Sequence, residues 1–362
     1  MVRPYPVAMS RIVAVSGVLP PHRYPQHEIT EALAGLCLPP GADRALLDRL
    51  HTGAGVTHRH LALPLEQYAR IDGFGRANDA FLTAALDLGE QAARAALAEA
   101  GLDGGAVDLV VSTSVTGIAA PSVEARLAGP LGLRPDVRRL PVFGLGCAAG
   151  AAGVARLADH LAGRPAHAAL LLSTELCSLT LQRAGTSRAD LVASALFGDG
   201  AGALVAVGAD HPLYGSSRGP LVVAARSRLY PGTAHLLGWD IGDHGFRIVL
   251  GSELPELTRL HVAEEVESFL AVHDLKPADV SAWICHPGGP RVLDALAEGL
   301  GLPGTALAAS RRSLARVGNL SSASVLHILR DVLAEGPPPP GSTGLMLALG
   351  PGFSSELVLL RW

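Results

Sequence analysis

Residues 107–114 (Val-Asp-Leu-Val-Val-Ser-Thr-Ser) and 168–174 (Ala-Ala-Leu-Leu-Leu-Ser-Thr) are short apolar runs that end in hydroxyl side chains. Runs of this length read as strands buried on both faces. Residues 11–18 and 138–145 have the same character, the first stopped by Leu19-Pro20-Pro21. Between them the apolar positions recur at helical spacing. Residues 27–51 read as helical with a break at Pro39-Pro40, residues 75–101 as a long alanine-rich helix ending at Gly101, and residues 121–132 as a shorter one. Another helix follows Cys147. Strand and helix alternate, which predicts an α/β protein with largely parallel sheets.

The later part of the chain continues the pattern. Strands are expected at 220–228 and 281–286, and helices at 253–274, 290–301 and 321–335. Gly-Pro-Pro-Pro-Pro-Gly-Ser at 336–342 reads as a stiff surface loop. A weak repeat is visible: residues 195–207 and 345–360 both run apolar, glycine-rich, apolar. Each is expected to be two strands joined at a tight glycine turn. The repeat divides the chain into similar halves, 1–212 and 213–362.

Composition narrows the class. The chain has 362 residues, 49% hydrophobic and 17% charged, enough apolar material for a large core. The net charge of −4 gives no basic footprint for nucleic acid. No run is long and apolar enough for a membrane span or a signal segment, so a cytoplasmic protein with no integral membrane segment is expected. Cys37, Cys147, Cys177 and Cys285 have no metal-ligand spacing, so no metal is expected, and cytosolic cysteines are thiols.

Cys147 lies in Gly-Leu-Gly-Cys-Ala-Ala-Gly, where a strand gives way to a helix. A helix N-terminus favours a thiolate by at most ~2 kcal/mol, or about 1.5 pKa units. That falls short of full ionisation from a pKa of ~8.5, and a protonated histidine would complete it. A packing role at a crowded turn is the other local reading. His286, in Cys-His-Pro-Gly-Gly-Pro, sits at the C-terminal end of an expected strand, where open α/β sheets bind ligands. It is either a site residue or a turn histidine. Cys285 beside it points to the opposite face, into the core. Asn319 stands beside Gly318 just before a helix that Ser321 or Ser322 can cap. It is either an Asx-turn residue or a neutral donor that holds a developing enolate oxygen.

These pieces together resemble the type III polyketide synthases, the chalcone and stilbene synthase family of thiolase-fold condensing enzymes. The resemblance rests on Gly-Cys-Ala-Ala-Gly at 146–150, Ala-Leu-Phe-Gly-Asp-Gly-Ala at 195–201, Gly-Phe-Arg at 245–247, His-Pro-Gly-Gly-Pro at 286–290, Gly-Asn-Leu-Ser-Ser-Ala-Ser at 318–324 and Gly-Pro-Gly-Phe at 350–353. It implies a thiolase-like αβαβα layered fold and a homodimer. It implies Cys147 as the nucleophile that takes an acyl starter from coenzyme A, with His286 as imidazolium partner of the thiolate. His286 and Asn319 would hold the malonyl-CoA carbonyl during decarboxylation. The carbanion would then attack the Cys147 thioester, and the cycle would repeat before ring closure. No cofactor is implied; malonyl-CoA and acyl-CoA are substrates. Phe197 and Phe246 match the family's gatekeeper pair, and Gly288 and Gly289 line the same turn as His286.

Several positions depart from the plant pattern. Ala148, Leu145, Ala120 and Cys177 replace larger or more polar residues, while Thr180 keeps a cavity threonine. The expected consequence is a more apolar pocket for an aliphatic starter, with alkylpyrone or alkylresorcinol products; a cysteine at 177 also fits members that start from malonyl-CoA. Arg49, Arg59 and Arg291 are the candidates for coenzyme A phosphates, and Ser321 for a substrate contact. Two rival readings share the fold: a ketoacyl-carrier-protein synthase III-like enzyme that condenses once, and a catalytically silent partner subunit.

Overall fold

The computed structural model describes residues 9–38, 41, 44–183 and 187–362. The first half contains β1 (Ser10–Val18), β2 (His22–Pro25), α1 (Gln26–Cys37), α2 (Arg44–Gly53), β3 (His58–Leu61), α3 (Phe74–Ala100), β4 (Leu109–Thr113), α4 (Val123–Leu131), β5 (Arg138–Val142), α5 (Ala149–Gly163), β6 (Ala168–Leu176), α6 (Arg188–Leu196), β7 (Asp199–Val207) and α7 (Leu213–Ser216). The second half contains β8 (Leu221–Leu229), β9 (Leu237–Gly242), β10 (Gly245–Leu250), α8 (Leu254–Leu257), α9 (Ala263–Ala271), β11 (Val280–Cys285), α10 (Pro290–Gly299), α11 (Ala308–Val317), α12 (Ser324–Glu335), β12 (Thr343–Gly350) and β13 (Ser354–Arg361). The proline break expected at Pro39-Pro40 lies outside the described residues. The expected helix over 253–274 is α8 and α9 joined through a π-turn at Thr258–Val262.

Nine strands form one sheet in the order β11-β12-β13-β8-β1-β7-β6-β4-β5. The halves join at its centre, where Ser10 pairs with Val222 and Arg11 with Leu221. The sheet is mixed, not largely parallel. Only β4–β5, β4–β6 and β11–β12 run parallel; the five other neighbouring pairs are antiparallel. Strand–helix alternation predicted the parallel pairs, but apolar runs without a period of two carry no direction.

Helices cover both faces in layers. One outer core packs α3 on β1, β6 and β7 through Ala85, Ala92, Ala96, Leu170 and Val205. The opposite outer core packs Val266, Phe269, Leu293 and Leu296 on Trp283, Leu345 and Leu359. Between them α5 and α12 form a shared central layer, with Leu157, Leu161, Ile328 and Leu329 against Leu171, Leu204, Met346 and Val358. The fold is thiolase-like.

The repeat is real at its second copy and different at its first. β12 and β13 are the expected hairpin. Residues 195–207 are not one: Ala195 and Leu196 end α6, and Asp199–Val207 is a single strand. Its glycines serve close approach instead of a turn. A Cβ on Gly202 would lie 3.0 Å from the Leu326 Cβ of α12.

Candidate active site

Two helix starts meet at the seam between the halves. Gly146–Ala148 forms a 3-10 turn that leads into α5, and Ser321–Ala323 forms one that leads into α12. They approach so closely that a Cβ on Gly150 would stand 2.1 Å from the Ser322 carbonyl oxygen. One on Gly350 would stand 2.5 Å from the Leu145 oxygen and 2.6 Å from the Ala148 Cβ. The small residues around Cys147 therefore let the second half close onto the first. Ala148 is fully buried against Gly350 and does not line the cavity, so its small size does not widen the pocket.

A chain of hydrogen bonds crosses this seam. Cys147 Sγ donates to Ser321 Oγ at 3.4 Å. The Ser321 backbone N–H donates to Asn319 Oδ1 at 2.8 Å, and His286 Nε2 lies 3.1 Å from the same oxygen. A backbone N–H can only donate, so it fixes the carboxamide orientation, and the imidazole proton sits on Nε2. Among the described residues, His286 Nδ1 is left as a bare lone pair, buried and without a partner. Asn319 Nδ2 likewise has no acceptor among them.

Backbone geometry holds these groups. The His286 N–H donates to Leu347 O at 2.8 Å, continuing the β11–β12 pairing past its end. Asn319 bridges Phe197: its N–H donates to Leu196 O at 2.8 Å, and its carbonyl accepts from Gly198 N at 2.9 Å. Gly318 makes that approach possible with φ +76°, and a Cβ there would lie 2.6 Å from Leu196 O. Ser321 sits at φ 49°, rare for a residue with a side chain. Neither Ser321 nor Ser322 caps α12; both hydroxyls donate to Glu175, and Ser324 Oγ accepts the Leu320 N–H.

Among the described residues, no direct hydrogen bond joins Cys147 to His286, the thiolate–imidazolium pair expected from the sequence. Burial pushes the Cys147 thiol up to about 12; the Ser321 hydrogen bond opposes this and the Glu175 charge adds to it. Burial pushes His286 down to about 4, opposed by its bond to Asn319. Desolvation penalises both charges and outweighs what a helix terminus supplies.

Glu175 has no counterpart among the expected site residues. It is fully buried at the end of β6. Oε1 accepts from Ser322 Oγ at 2.5 Å and from Ser321 Oγ at 3.3 Å; Oε2 accepts from Thr116 Oγ1 and the Val115 N–H. The signal was a lone acid in a strand with no other charged residue. Burial raises it from 4.5 to about 7 against these bonds. The folded state then holds a proton that the unfolded chain releases, so its contribution to stability falls as pH rises from 4.5 to about 7. At ~1.4 kcal/mol per pKa unit the loss approaches roughly 3 kcal/mol. Glu175→Gln should abolish that slope. Denaturant unfolding of both proteins across this window should show the variant gaining on the parent, with the gap levelling off above pH 7. A constant gap would mean that the carboxyl titrates normally.

A cavity with about 100 Å³ of accessible volume opens onto Cys147, Cys177, Thr180, Phe197 and Ser321. The Thr180 hydroxyl donates to Cys177 O. Trp239 and Ile248, from the β9–β10 hairpin, line the cavity too. Phe246 does not. It packs edge-on to Phe74 with ring centroids 5.2 Å apart and lies 5.9 Å from Trp239. His286 and Asn319 lie just outside the lining. Gly288 and Gly289 form the turn after His286, and Gly289 adopts φ +145°. Arg49, Arg291 and Ala120 are exposed. Arg59 is only 3% exposed and lines the cavity, so it is not a surface phosphate ligand. Among the described residues, no cluster of His, Cys, Asp and Glu could hold a metal ion, and no helix is long and apolar enough to cross a membrane.

Two similar halves sharing a central helical layer, with a cysteine at its first turn, define a thiolase-fold enzyme. The chain belongs to the chalcone and stilbene synthases and is a type III polyketide synthase: the family's N-terminal domain matches residues 11–211 and its C-terminal domain residues 221–362. It is 58% identical over 351 residues to a 1,3,6,8-tetrahydroxynaphthalene synthase of Streptomyces peucetius, covering 97% of this chain and 93% of the relative. It is 30% identical to a phloroglucinol synthase of Pseudomonas fluorescens, covering 98% and 99%. Among solved structures, the 1,3,6,8-tetrahydroxynaphthalene synthase of Streptomyces coelicolor matches with a TM-score of 0.91 at 30% identity, covering 97% and 99% of the two chains.

Proposed function

We propose that Cys147 accepts an acyl starter from coenzyme A and that the chain is extended on it by repeated decarboxylative condensation of malonyl-CoA. The observation that carries this is the continuous hydrogen-bonded series Cys147–Ser321–Asn319–His286 beside a largely apolar cavity. As the sulfur attacks the thioester, its proton passes by way of His286 to the coenzyme A sulfur, which leaves as the thiol. Malonyl-CoA then loses CO2, and Asn319 Nδ2 donates to the enolate oxygen that forms. A neutral donor in a low-dielectric site does this at little reorganisation cost. The enolate carbon attacks the Cys147 thioester, the sulfur departs, and the lengthened chain, now a coenzyme A thioester, is passed back to Cys147 for the next round. Loss of CO2 makes the carbanion, so neither a base nor a cofactor is needed at that step.

The substrates and their setting follow the same reading. Coenzyme A thioesters are the small-molecule partners, with the exposed Arg49 and Arg291 near their phosphates. The 58% identity to a tetrahydroxynaphthalene synthase favours an oxygen-rich aromatic product over an alkylpyrone. A homodimer through the β5 edge is supported by the exposed Ile118, Leu140 and Phe143, at 46%, 42% and 48%. The four free thiols suit the cytoplasm.

Mass spectrometry of products from malonyl-CoA, alone and with acyl-CoA starters, tests the reading. Products carrying more than one malonyl-derived unit support it; a single-condensation β-ketoacyl product would place the enzyme with the initiation synthases. Asn319→Ala is expected to slow CO2 release by about 10²–10³-fold, the usual effect of removing one oxyanion donor. Acylation of Cys147 by the starter should persist in that variant, since Asn319 does not bond the sulfur. Loss of both steps together would assign Asn319 a structural role only.

A further inference from the structure

The cavity has a second polar centre away from the hydrogen-bonded series. Arg59, on β3, is a buried cation with only neutral direct partners. Its Nε donates to Gln26 Oε1 at 3.0 Å and its Nη1 to Phe197 O at 2.8 Å. Its Nη2 is buried and has no partner among the described residues. The buried acid whose charge acts on it, Asp199, does not bond it. Oδ1 of that carboxylate accepts from Ser178 N, and Oδ2 from Ala62 N and Ser178 Oγ. Asp190, which also lines the cavity, is held by Ser187 at the start of α6. The Tyr68 hydroxyl and Ser178 Oγ bond each other and line the same cavity.

Arginine is almost never fully buried without a counter-charge. Here the counter-charge in reach is Asp199, acting through space, while burial pulls the guanidinium down to about 10. Arg59 lines the cavity, and a guanidinium with an unused N–H pair suits an oxygen carrying negative charge.

We propose that Arg59 Nη2 binds an anionic or enolic oxygen at the far end of the Cys147-bound acyl chain and so selects oxygenated starters over alkyl ones. The proposal rests on Cys147 being the acylated residue. The bound oxygen is either a terminal carboxylate or the enolised carbonyl of a β-keto chain. Both present the same chemistry to the guanidinium. This replaces the aliphatic starter expected from the small residues of the sequence. Leucines line much of the cavity wall, but a desolvated alkyl end would leave Nη2 unpaired, which costs more than the methyl contact returns.

The experiment measures Cys147 acylation without extender, by intact-protein mass spectrometry, with matched thioesters. Succinyl- and glutaryl-CoA are compared with butyryl- and pentanoyl-CoA, and acetoacetyl-CoA with butyryl-CoA. The parent enzyme should acylate faster with the oxygenated member of at least one pair. Preference confined to the acetoacetyl pair identifies the enolised carbonyl; preference among the diacids identifies the carboxylate. Arg59→Gln should lower that preference about 10- to 100-fold, the range of one charge-assisted hydrogen bond, while acylation by the alkyl member is kept. Arg59→Lys should recover part of it. An unchanged ratio in Arg59→Gln, or equal rates across every pair in the parent enzyme, overturns the proposal, and the second result needs no variant to fold. No acylation of the parent by any thioester would instead overturn the synthase reading beneath it.

Discussion

Cys147→Ala is expected to make no polyketide from any starter, and to fold. Loss of a covalent nucleophile costs on the order of 10⁶ in rate where such residues act as a unit. Here no neighbour can substitute. Cys177 lines the same cavity, but burial and the nearby acids raise its thiol well above the ordinary range. Ser321 Oγ donates to a carboxyl and accepts from the sulfur, and no imidazole bonds it. Stability should change by no more than about 1 kcal/mol, because the sulfur makes a single hydrogen bond at 3.4 Å. Two measurements decide the matter. Intact mass after incubation with an acyl-CoA should show an adduct in the parent and none in the variant. CO2 release from malonyl-CoA should survive in the variant, since Asn319 and His286 are untouched. Retained triketide formation would remove Cys147 from the mechanism and revive the silent-partner reading.

Gly150→Ala should do more damage than its single methyl suggests. The added Cβ would sit 2.1 Å from the Ser322 carbonyl oxygen and 2.7 Å from Val325 Cγ2. The valine can turn away; a backbone oxygen cannot. α5 and the 321–323 turn must separate by about 1 Å to restore ordinary contact. Overpacking of this kind costs about 1–3 kcal/mol or more. The movement also carries Ser321 and Asn319 away from Cys147, and a misplacement of about 1 Å is worth about 10²-fold in rate. Gly163→Ala, on the same helix with nothing within 4 Å, is the control and should leave stability within about 0.5 kcal/mol. Thermal unfolding and turnover of the two variants, measured together, check the contrast. A Gly150→Ala enzyme as stable and active as the control would mean that the halves slide freely at the seam.

These expectations depend on contacts of very different sequence range. Strands with strong local patterns, such as Ala168–Leu176 and the β12–β13 hairpin, were legible because periodicity and turn chemistry are local. The hairpin expected over 195–207 failed for the opposite reason. A glycine that opens a turn and a glycine that admits a neighbouring helix look alike until Leu326 is placed against Gly202. The same ambiguity surrounds the glycines near Cys147, where Gly150 makes room for the Ser322 carbonyl of the other half.

The sequence by itself determined the layered α/β class and the family motifs, and it singled out Cys147, His286 and Asn319, which the structure joins in one hydrogen-bonded series. Those rest on residue type and local order. Only the tertiary structure decided that Ser321 bonds the sulfur, that Glu175 holds Ser321, that Phe246 packs away from the cavity and that Arg59 faces inward. Each of these joins residues far apart in the chain. Charge state and partnership depend on burial and distance, and neither exists until the two halves close.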